Sequence, residues 1–139
     1  MKYILDTCVI SEFIKLRPNP KVISWIANMD FDDLNISVIT FGEIWKGIAN
    51  LQESPRKKEL VNWFEKDVVD FYYDRALIID YSIMIIWSEL YSKLEQSKKL
   101  IPVVDLFIAS TAINYNHILV TRNTKDFLNS GCKLFNPWE

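Results

Sequence analysis

The sequence predicts an α/β sandwich built on a mostly parallel sheet, and three observations carry that prediction. Short apolar runs alternate along the chain with longer segments whose apolar residues recur at helical spacing. The runs are continuous rather than interleaved with polar residues, as in strands buried on both faces. Several end in an acid or a hydroxyl, where sites form beyond the strands of an open parallel sheet. With 139 residues, half of them hydrophobic, the chain reads as one domain over 1–139 with a real core.

The first run is Lys2-Tyr3-Ile4-Leu5-Asp6-Thr7, a strand closed by a carboxylate and a hydroxyl. Asp6 has two readings there: a cap for the next helix, or part of a site at the strand end. From Val9 to Lys15, the residues Val9, Ile10, Phe13 and Ile14 keep a helical rhythm. Pro18 and Pro20 break it, and Pro20 opens a helix to about Met29 that buries Val22, Ile23 and Ile26. After the acidic turn at Asp30 to Asp33, Leu34 to Ser37 is a second strand. Ser37 or Thr40 can cap a helix carrying Phe41, Ile44, Trp45, Ile48 and Leu51 on one side.

Ser54-Pro55 starts a further helix, from Arg56 to about Phe71, burying Leu60, Val61, Phe64 and Val68. Ala76 to Ile79 is a third strand. Asp80 caps a long helix from Tyr81 to about Gln96, with Ile83, Ile86, Trp87, Leu90 and Leu94 inward. Pro102 precedes a helix to about Tyr115 that packs through Leu106, Ile108, Ala109 and Ala112. His117 to Thr121 is a fourth strand. Asn123 to Leu128 forms a turn, Gly131 lets the chain reverse, and Lys133 to Phe135 is a last strand. Helices outnumber strands, so two of them are expected to form a hairpin at one end.

Composition narrows the function. No apolar run approaches the roughly 20 residues that a membrane span needs, so no membrane partner is expected. No basic segment with a cleavage pattern precedes a hydrophobic stretch, and Cys8 and Cys132 form no CxxC motif. A cytoplasmic, reduced chain is therefore expected. The single histidine excludes a zinc site built on several histidines. A net charge of −2 gives no basic footprint, and the groups Arg56-Lys57-Lys58, Lys98-Lys99 and Arg122 with Lys125 read first as solvated surface. No G-x-G-x-x-G fingerprint and no P-loop is present.

Four acids stand out. Asp6 ends a strand, Glu43 lies early in a helix after a strand, and Asp105 sits among apolar residues in Val103-Val104-Asp105-Leu106-Phe107. Asp126 follows the fourth strand. Interaction with its helix dipole, worth about 0.3–1 kcal/mol, is a weak reason to place a charge as apolar as Asp105's setting demands. A shared site is the sharper explanation. Clustered carboxylates repel, and a hard cation relieves the repulsion. Oxygen ligands without a histidine or cysteine cluster favour Mg²⁺, with Mn²⁺ as a substitute. Such an ion can activate water against a phosphodiester. The spacing alone is not specific, because any α/β protein carries acids at strand ends.

Four segments in order resemble the motifs of the PIN-domain nucleases. They are Ile4-Leu5-Asp6-Thr7-Cys8-Val9-Ile10-Ser11-Glu12, Ile36-Ser37-Val38-Ile39-Thr40-Phe41-Gly42-Glu43, Pro102-Val103-Val104-Asp105-Leu106-Phe107-Ile108-Ala109, and Leu119-Val120-Thr121-Arg122-Asn123-Thr124-Lys125-Asp126-Phe127. The ending Leu134-Phe135-Asn136-Pro137-Trp138 is similar too. Within the family the chain looks most like the VapC-type toxins of toxin–antitoxin pairs. The resemblance implies a PIN-like three-layer α/β/α sandwich and a Mg²⁺-dependent endoribonuclease. Its substrate would be tRNA or another structured RNA, cut to a 5′-phosphate and a 3′-hydroxyl. It implies a homodimer held inactive by a small VapB-type antitoxin, with operator DNA bound only through that antitoxin.

The resemblance maps catalysis and metal binding onto Asp6, Glu43, Asp105 and Asp126. Thr7 and Thr121 match hydroxyls that would orient those carboxylates, and Asn123 matches a polar position near the fourth acid. Arg122 and Lys125 are candidates for phosphate contact. Cys8 stands where many relatives have asparagine, and its soft sulfur suits Mg²⁺ poorly. The other reading, from a different class, is a DNA-associated regulatory module acting mainly through its antitoxin complex. Metal-dependent cleavage by the isolated chain separates the two.

Overall fold

A computed structural model describes residues 1–139. Its centre is a five-stranded sheet of β1 (Tyr3–Leu5), β2 (Leu34–Ser37), β3 (Ala76–Leu77), β4 (Ile118–Val120) and β5 (Lys133–Phe135). The spatial order is β3-β2-β1-β4-β5, and every pair is parallel. Tyr3 lies opposite Leu34 on one side and Ile118 on the other. The chain works outward from β1 through β2 and β3, then returns to β1's other edge at β4. The carboxyl ends of β1 and β4 thus flank the point where strand order reverses, the usual place for a site in such sheets.

The pleat sends neighbouring residues to opposite layers. Leu5 and Val120 pack with Val9, Ile10, Val22, Leu34, Ile36, Ile44, Ile48, Phe64, Val68 and Tyr72. Ile4 and Leu119 face the other way, toward Leu90, Leu94, Leu106, Ile108, Ala109, Ala112 and Phe127. The first layer is built by α1 (Thr7–Glu12), α2 (Pro20–Ala27), α3 (Val38–Ala49) and α4 (Pro55–Trp63). The second is built by α6 (Tyr81–Gln96) and α7 (Val103–Tyr115), with the single turn α8 (Thr124–Phe127). The three-layer sandwich expected from the sequence is the one observed, and the sheet is wholly parallel rather than mostly so.

The expected hairpin is α6 and α7, whose seam includes Trp87 stacked on Phe107 at 5.3 Å and 11°. Asn116 ends α7 in the left-handed region, φ 54°, a conformation asparagine tolerates better than most residues. Gly131 takes φ 80° at the predicted reversal before β5.

Several boundaries differ from the sequence expectation. Helix α1 stops at Glu12, so Phe13 is left exposed, and α2 stops at Ala27 rather than near Met29. Ser37, not Thr40, caps α3 by accepting from Ile39 N at 3.1 Å, and Thr40 is buried within the helix. Leu51 falls beyond the end of α3 and is exposed. The helix expected from Arg56 to Phe71 starts as predicted, with Ser54 capping Lys57 N at 3.1 Å. It then widens into a π-helical stretch at Phe64–Val69 before the short α5 (Asp70–Tyr72).

Phe64 and Val68 reach the core as the spacing predicts, whereas Leu60 and Val61, in the regular turns before the π-helical stretch, are only half-buried. Phe64 meets Trp45 edge-on at 4.7 Å. An apolar cavity of about 480 Å³ lies beside the stretch, lined by eleven hydrophobic residues and Asp67. Strand β3 ends at Leu77, leaving Ile78 exposed. The turn expected from Asn123 contains α8, and His117 lies one residue before β4 rather than in it. No helix is long and apolar enough to cross a membrane.

Candidate active site

Asp6 follows the last residue of β1, and its backbone N–H donates to Val120 O at 3.0 Å, continuing the sheet by one bond. Its side chain caps α1, accepting from Thr7 N at 2.8 Å. The cap reading of Asp6 holds, and the same carboxylate stands at the carboxyl end of β1, where the other reading puts a site. The cap uses one carboxylate oxygen, Oδ1. The other, Oδ2, accepts from Thr121 Oγ1 at 2.8 Å, and Thr121 is fully buried at the end of β4. The hydroxyl of Thr121 in turn accepts from Asn123 N at 3.0 Å. One threonine thus fixes an acid on the neighbouring strand and the loop that follows its own.

Thr7 does the same for the second acid. Its Oγ1 donates to Glu43 Oε1 at 2.7 Å, tying the first turn of α1 to α3. Asp105 stands in the first turn of α7, half-buried. Burial first, then the charges of Asp6, Glu43 and Asp126, push its carboxyl up to about 6. Burial also raises Asp6, opposed by its bonds from Thr121, Thr7 and Cys8 and reinforced by the charge of Asp126. These couplings place all four predicted acids in one electrostatic field. Asp126 is the most exposed of them.

The acids are not drawn into a ready-made cage: no three His, Cys, Asp or Glu side chains come close enough together to hold an ion alone. The acids thus influence one another's charge at separations too long for three of them to share an ion as they stand. An open, all-oxygen set suits a hard cation that keeps several of its waters, as Mg²⁺ does, and suits zinc's closed four-ligand sites poorly.

The remaining predicted residues divide. Asn123 reaches Thr121 through its backbone N–H, while its side chain is exposed. Arg122 is also exposed, and its guanidinium lies 5.6 Å from the centre of the Trp138 ring, so it packs on the C-terminus. Lys125 is exposed. Cys8 has more contacts than the sequence suggested. Its Sγ lies 3.9 Å from Asp6 Oδ2 and 3.7 Å from Thr121 Oγ1, and it accepts from Arg122 N at 3.4 Å. Thr121 and Arg122 are more than a hundred residues away from that thiol, and only its proximity to Asp6 was visible in the sequence.

Thr121→Val is expected to reduce activity about 10- to 100-fold, the usual cost of losing a group that orients a ligand. It also leaves the Asn123 N–H unpaired, so the melting temperature should fall by an amount equivalent to about 1–3 kcal/mol. Steady-state cleavage and a thermal melt of the same preparation check both. Unchanged activity in a destabilised variant would show that the hydroxyl serves the fold alone.

Comparisons with known proteins follow the same geometry. The PIN domain family model matches residues 3–129. The chain is 31% identical over 135 residues to Toxin FitB of Neisseria gonorrhoeae, covering 97% of each chain. It is 32% identical over 136 residues to VapC ribonuclease Y4jK of Sinorhizobium fredii, covering 98% of this chain and 97% of that one. Among solved structures, the FitAcB crystal structure from Neisseria gonorrhoeae superposes with a TM-score of 0.92 at 31% identity, covering 99% of both chains. A structure of FitAB bound to a DNA fragment superposes equally well, with a TM-score of 0.92 at 31% identity over 99% of this chain and 96% of that one.

Proposed function

The chain belongs to the PIN domain family, and we propose that it is a metal-dependent endoribonuclease, the toxin of a toxin–antitoxin pair. The observation that carries this reading is the convergence of Asp6, Glu43 and Asp126 on Asp105, whose carboxyl is pushed up to about 6 by burial first and by those three charges after it. Mg²⁺ is the proposed ion, with Mn²⁺ as a substitute, because the donors are carboxylate oxygens. When bound, such a cation offsets charge on the phosphate and makes water nucleophilic near neutral pH. Asp6 and Asp105 would hold it, and Glu43 and Asp126 would complete the acidic pocket. Thr121 and Thr7 hold Asp6 and Glu43 in fixed rotamers at 2.8 and 2.7 Å, so little reorganisation remains to be paid during reaction.

The substrate we propose is structured RNA, tRNA among the candidates, cleaved to a 5′-phosphate and a 3′-hydroxyl. The partners are a small antitoxin, operator DNA through that antitoxin, and a second copy of this chain. We read residues 1–139 as one domain.

The second reading, a DNA-associated regulatory module, draws support from the similar FitAB structure bound to DNA. The two differ in what the isolated chain does. Purified chain, free of antitoxin and supplied with Mg²⁺, is expected to cut structured RNA and to leave duplex operator DNA unbound. Intact RNA after incubation, with DNA bound by the chain alone, would favour the regulatory reading.

A further inference from the structure

We propose that Trp138 is a positioning residue for the cleavage reaction: its indole ring holds the Arg122 guanidinium beside the acids, where it grips a phosphate of the RNA next to the one being cut. The inference rests on the reading of the acids as a ribonuclease site, and it adds the C-terminal turn to that site.

Arg122 leaves the sheet where the site begins. It follows Thr121, whose hydroxyl holds Asp6. The ends of β4 and β5 are tied together there. Thr121 N donates to Phe135 O at 3.0 Å. One side chain, that of Asn136, then links the residues beyond. Its Nδ2 donates to Arg122 O at 3.5 Å, and its Oδ1 accepts from Trp138 N at 2.9 Å. Pro137, between Asn136 and Trp138, is buried. Trp138 is thus set by hydrogen bonds relative to the Arg122 main chain. Its ring centre lies 5.6 Å from the guanidinium carbon, within the reach of a cation–π contact.

The guanidinium has no anion of its own. No ion pair of the chain includes it. Glu12 feels its charge, but both Glu12 oxygens are taken, Oε1 by Asn19 N at 2.7 Å and Oε2 by Lys15 Nζ at 2.8 Å. Burial raises the Glu12 carboxyl, yet Lys15, the Asn19 N–H and then the charge of Arg122 hold it below its ordinary value. Asp105 gains no such relief from Arg122, since burial and the other acids raise it. The guanidinium therefore stands to one side of the acids rather than over them.

That is the place for a neighbouring phosphate. An arginine stacked on an aromatic face keeps its in-plane N–H groups free, and their fork matches phosphate oxygens. The stack also removes rotamer freedom before RNA arrives, so less is lost on binding. A cluster of acids repels the RNA backbone, and a cation fixed at its edge offsets part of that repulsion.

Binding of bulk tRNA in EDTA, and steady-state cleavage of the same RNA with Mg²⁺, test this on the full chain. Arg122→Ala should weaken binding about 10-fold and flatten the log–log dependence on salt by about one. Arg122→Lys, at an exposed position that leaves the fold intact, should keep the salt dependence but bind about 3- to 10-fold less tightly, because the stack is lost. Trp138→Leu should match Arg122→Lys, raising KM more than it lowers kcat, and should change nothing further in an Arg122→Ala background. Lysine that binds as well as arginine, or Arg122→Ala with wild-type affinity, overturns the inference and leaves the acid site standing. So does a Trp138→Leu loss of equal size in both backgrounds, which marks a tryptophan that serves the fold alone. If the wild type neither binds nor cleaves RNA, the ribonuclease reading fails and the inference with it.

Discussion

Asp6→Asn and Asp105→Asn should each lower Mg²⁺-dependent RNA cleavage by at least about 10³-fold, equivalent to roughly 4 kcal/mol of transition-state stabilisation. Both substitutions keep the side chain's shape and remove its charge. Asp6 loses little structurally, because the amide oxygen can still cap Thr7 N while the amide NH2, in the place of Oδ2, donates to Thr121 Oγ1. The fold should survive in both variants, as circular dichroism and gel filtration would show. Glu43→Gln should be severe for the same reason. Asp126→Asn should be milder, since Asp126 is the most exposed of the four. Full activity in Asp6→Asn or Asp105→Asn, measured with purified RNA and Mg²⁺, would remove the assignment.

The second large effect is on stability, and its sign is the informative part. Asp105 rises from 3.8 to about 6 in the folded chain, so ionising it costs more there than in the unfolded chain. Well below 3.8 both states are protonated and the cost is absent. It grows as pH rises from about 4 to 6 and is complete above that. A rise from 3.8 to about 6 corresponds to roughly 3 kcal/mol. Solvent screening at a half-exposed carboxylate reduces this to about 1 kcal/mol.

The helix dipole works the other way, since Asp105 lies in the first turn of α7, but its worth is at most about 1 kcal/mol and the raised pKa shows that it loses. Asp105→Asn should therefore melt about 2–4 °C higher than the wild type in EDTA at pH 7.5. The difference should shrink as pH falls through about 6 and vanish by about pH 3, below the unfolded carboxyl's 3.8. Saturating Mn²⁺ should stabilise the wild type by about 2.7 kcal/mol at 100 times its Kd and the variant by much less. A structural carboxylate predicts the reverse, with the variant melting lower and both proteins gaining equally from Mn²⁺.

Much of this arrangement was legible in the residues. Apolar runs ending at Asp6, Ser37 and Thr121 marked three strands, because a buried strand has no polar alternation to hide its end. Ser54-Pro55 and Asp80 announced their helices by cap chemistry alone. What failed depended on tertiary packing. The π-helical stretch at Phe64–Val69 interrupts a helix that the sequence draws as continuous to Phe71, although Phe64 and Val68 are buried as the periodicity predicts. Ser37 and Thr40 are equivalent as caps by type, and only the exit angle from β2 decides between them.

The acids were visible as charges in apolar settings. Their common field was not, because it depends on how far α3 and α7 lean toward the ends of β1 and β4. Arg122 shows the limit most plainly. Its position beside Thr121 suggests a phosphate contact, and the Trp138 ring that it lies over, brought in from the C-terminus, could not be read from the residues.

The account's central claim is that these acids hold one catalytic cation site. Free Mn²⁺ measured by electron paramagnetic resonance, during a titration in which RNA cleavage is followed in the same samples, tests it most directly. The two curves should rise together in the wild type, and both should be lost in Asp6→Asn. Cleavage that proceeds undiminished where no Mn²⁺ is bound, or Mn²⁺ binding that Asp6→Asn leaves intact, would contradict it.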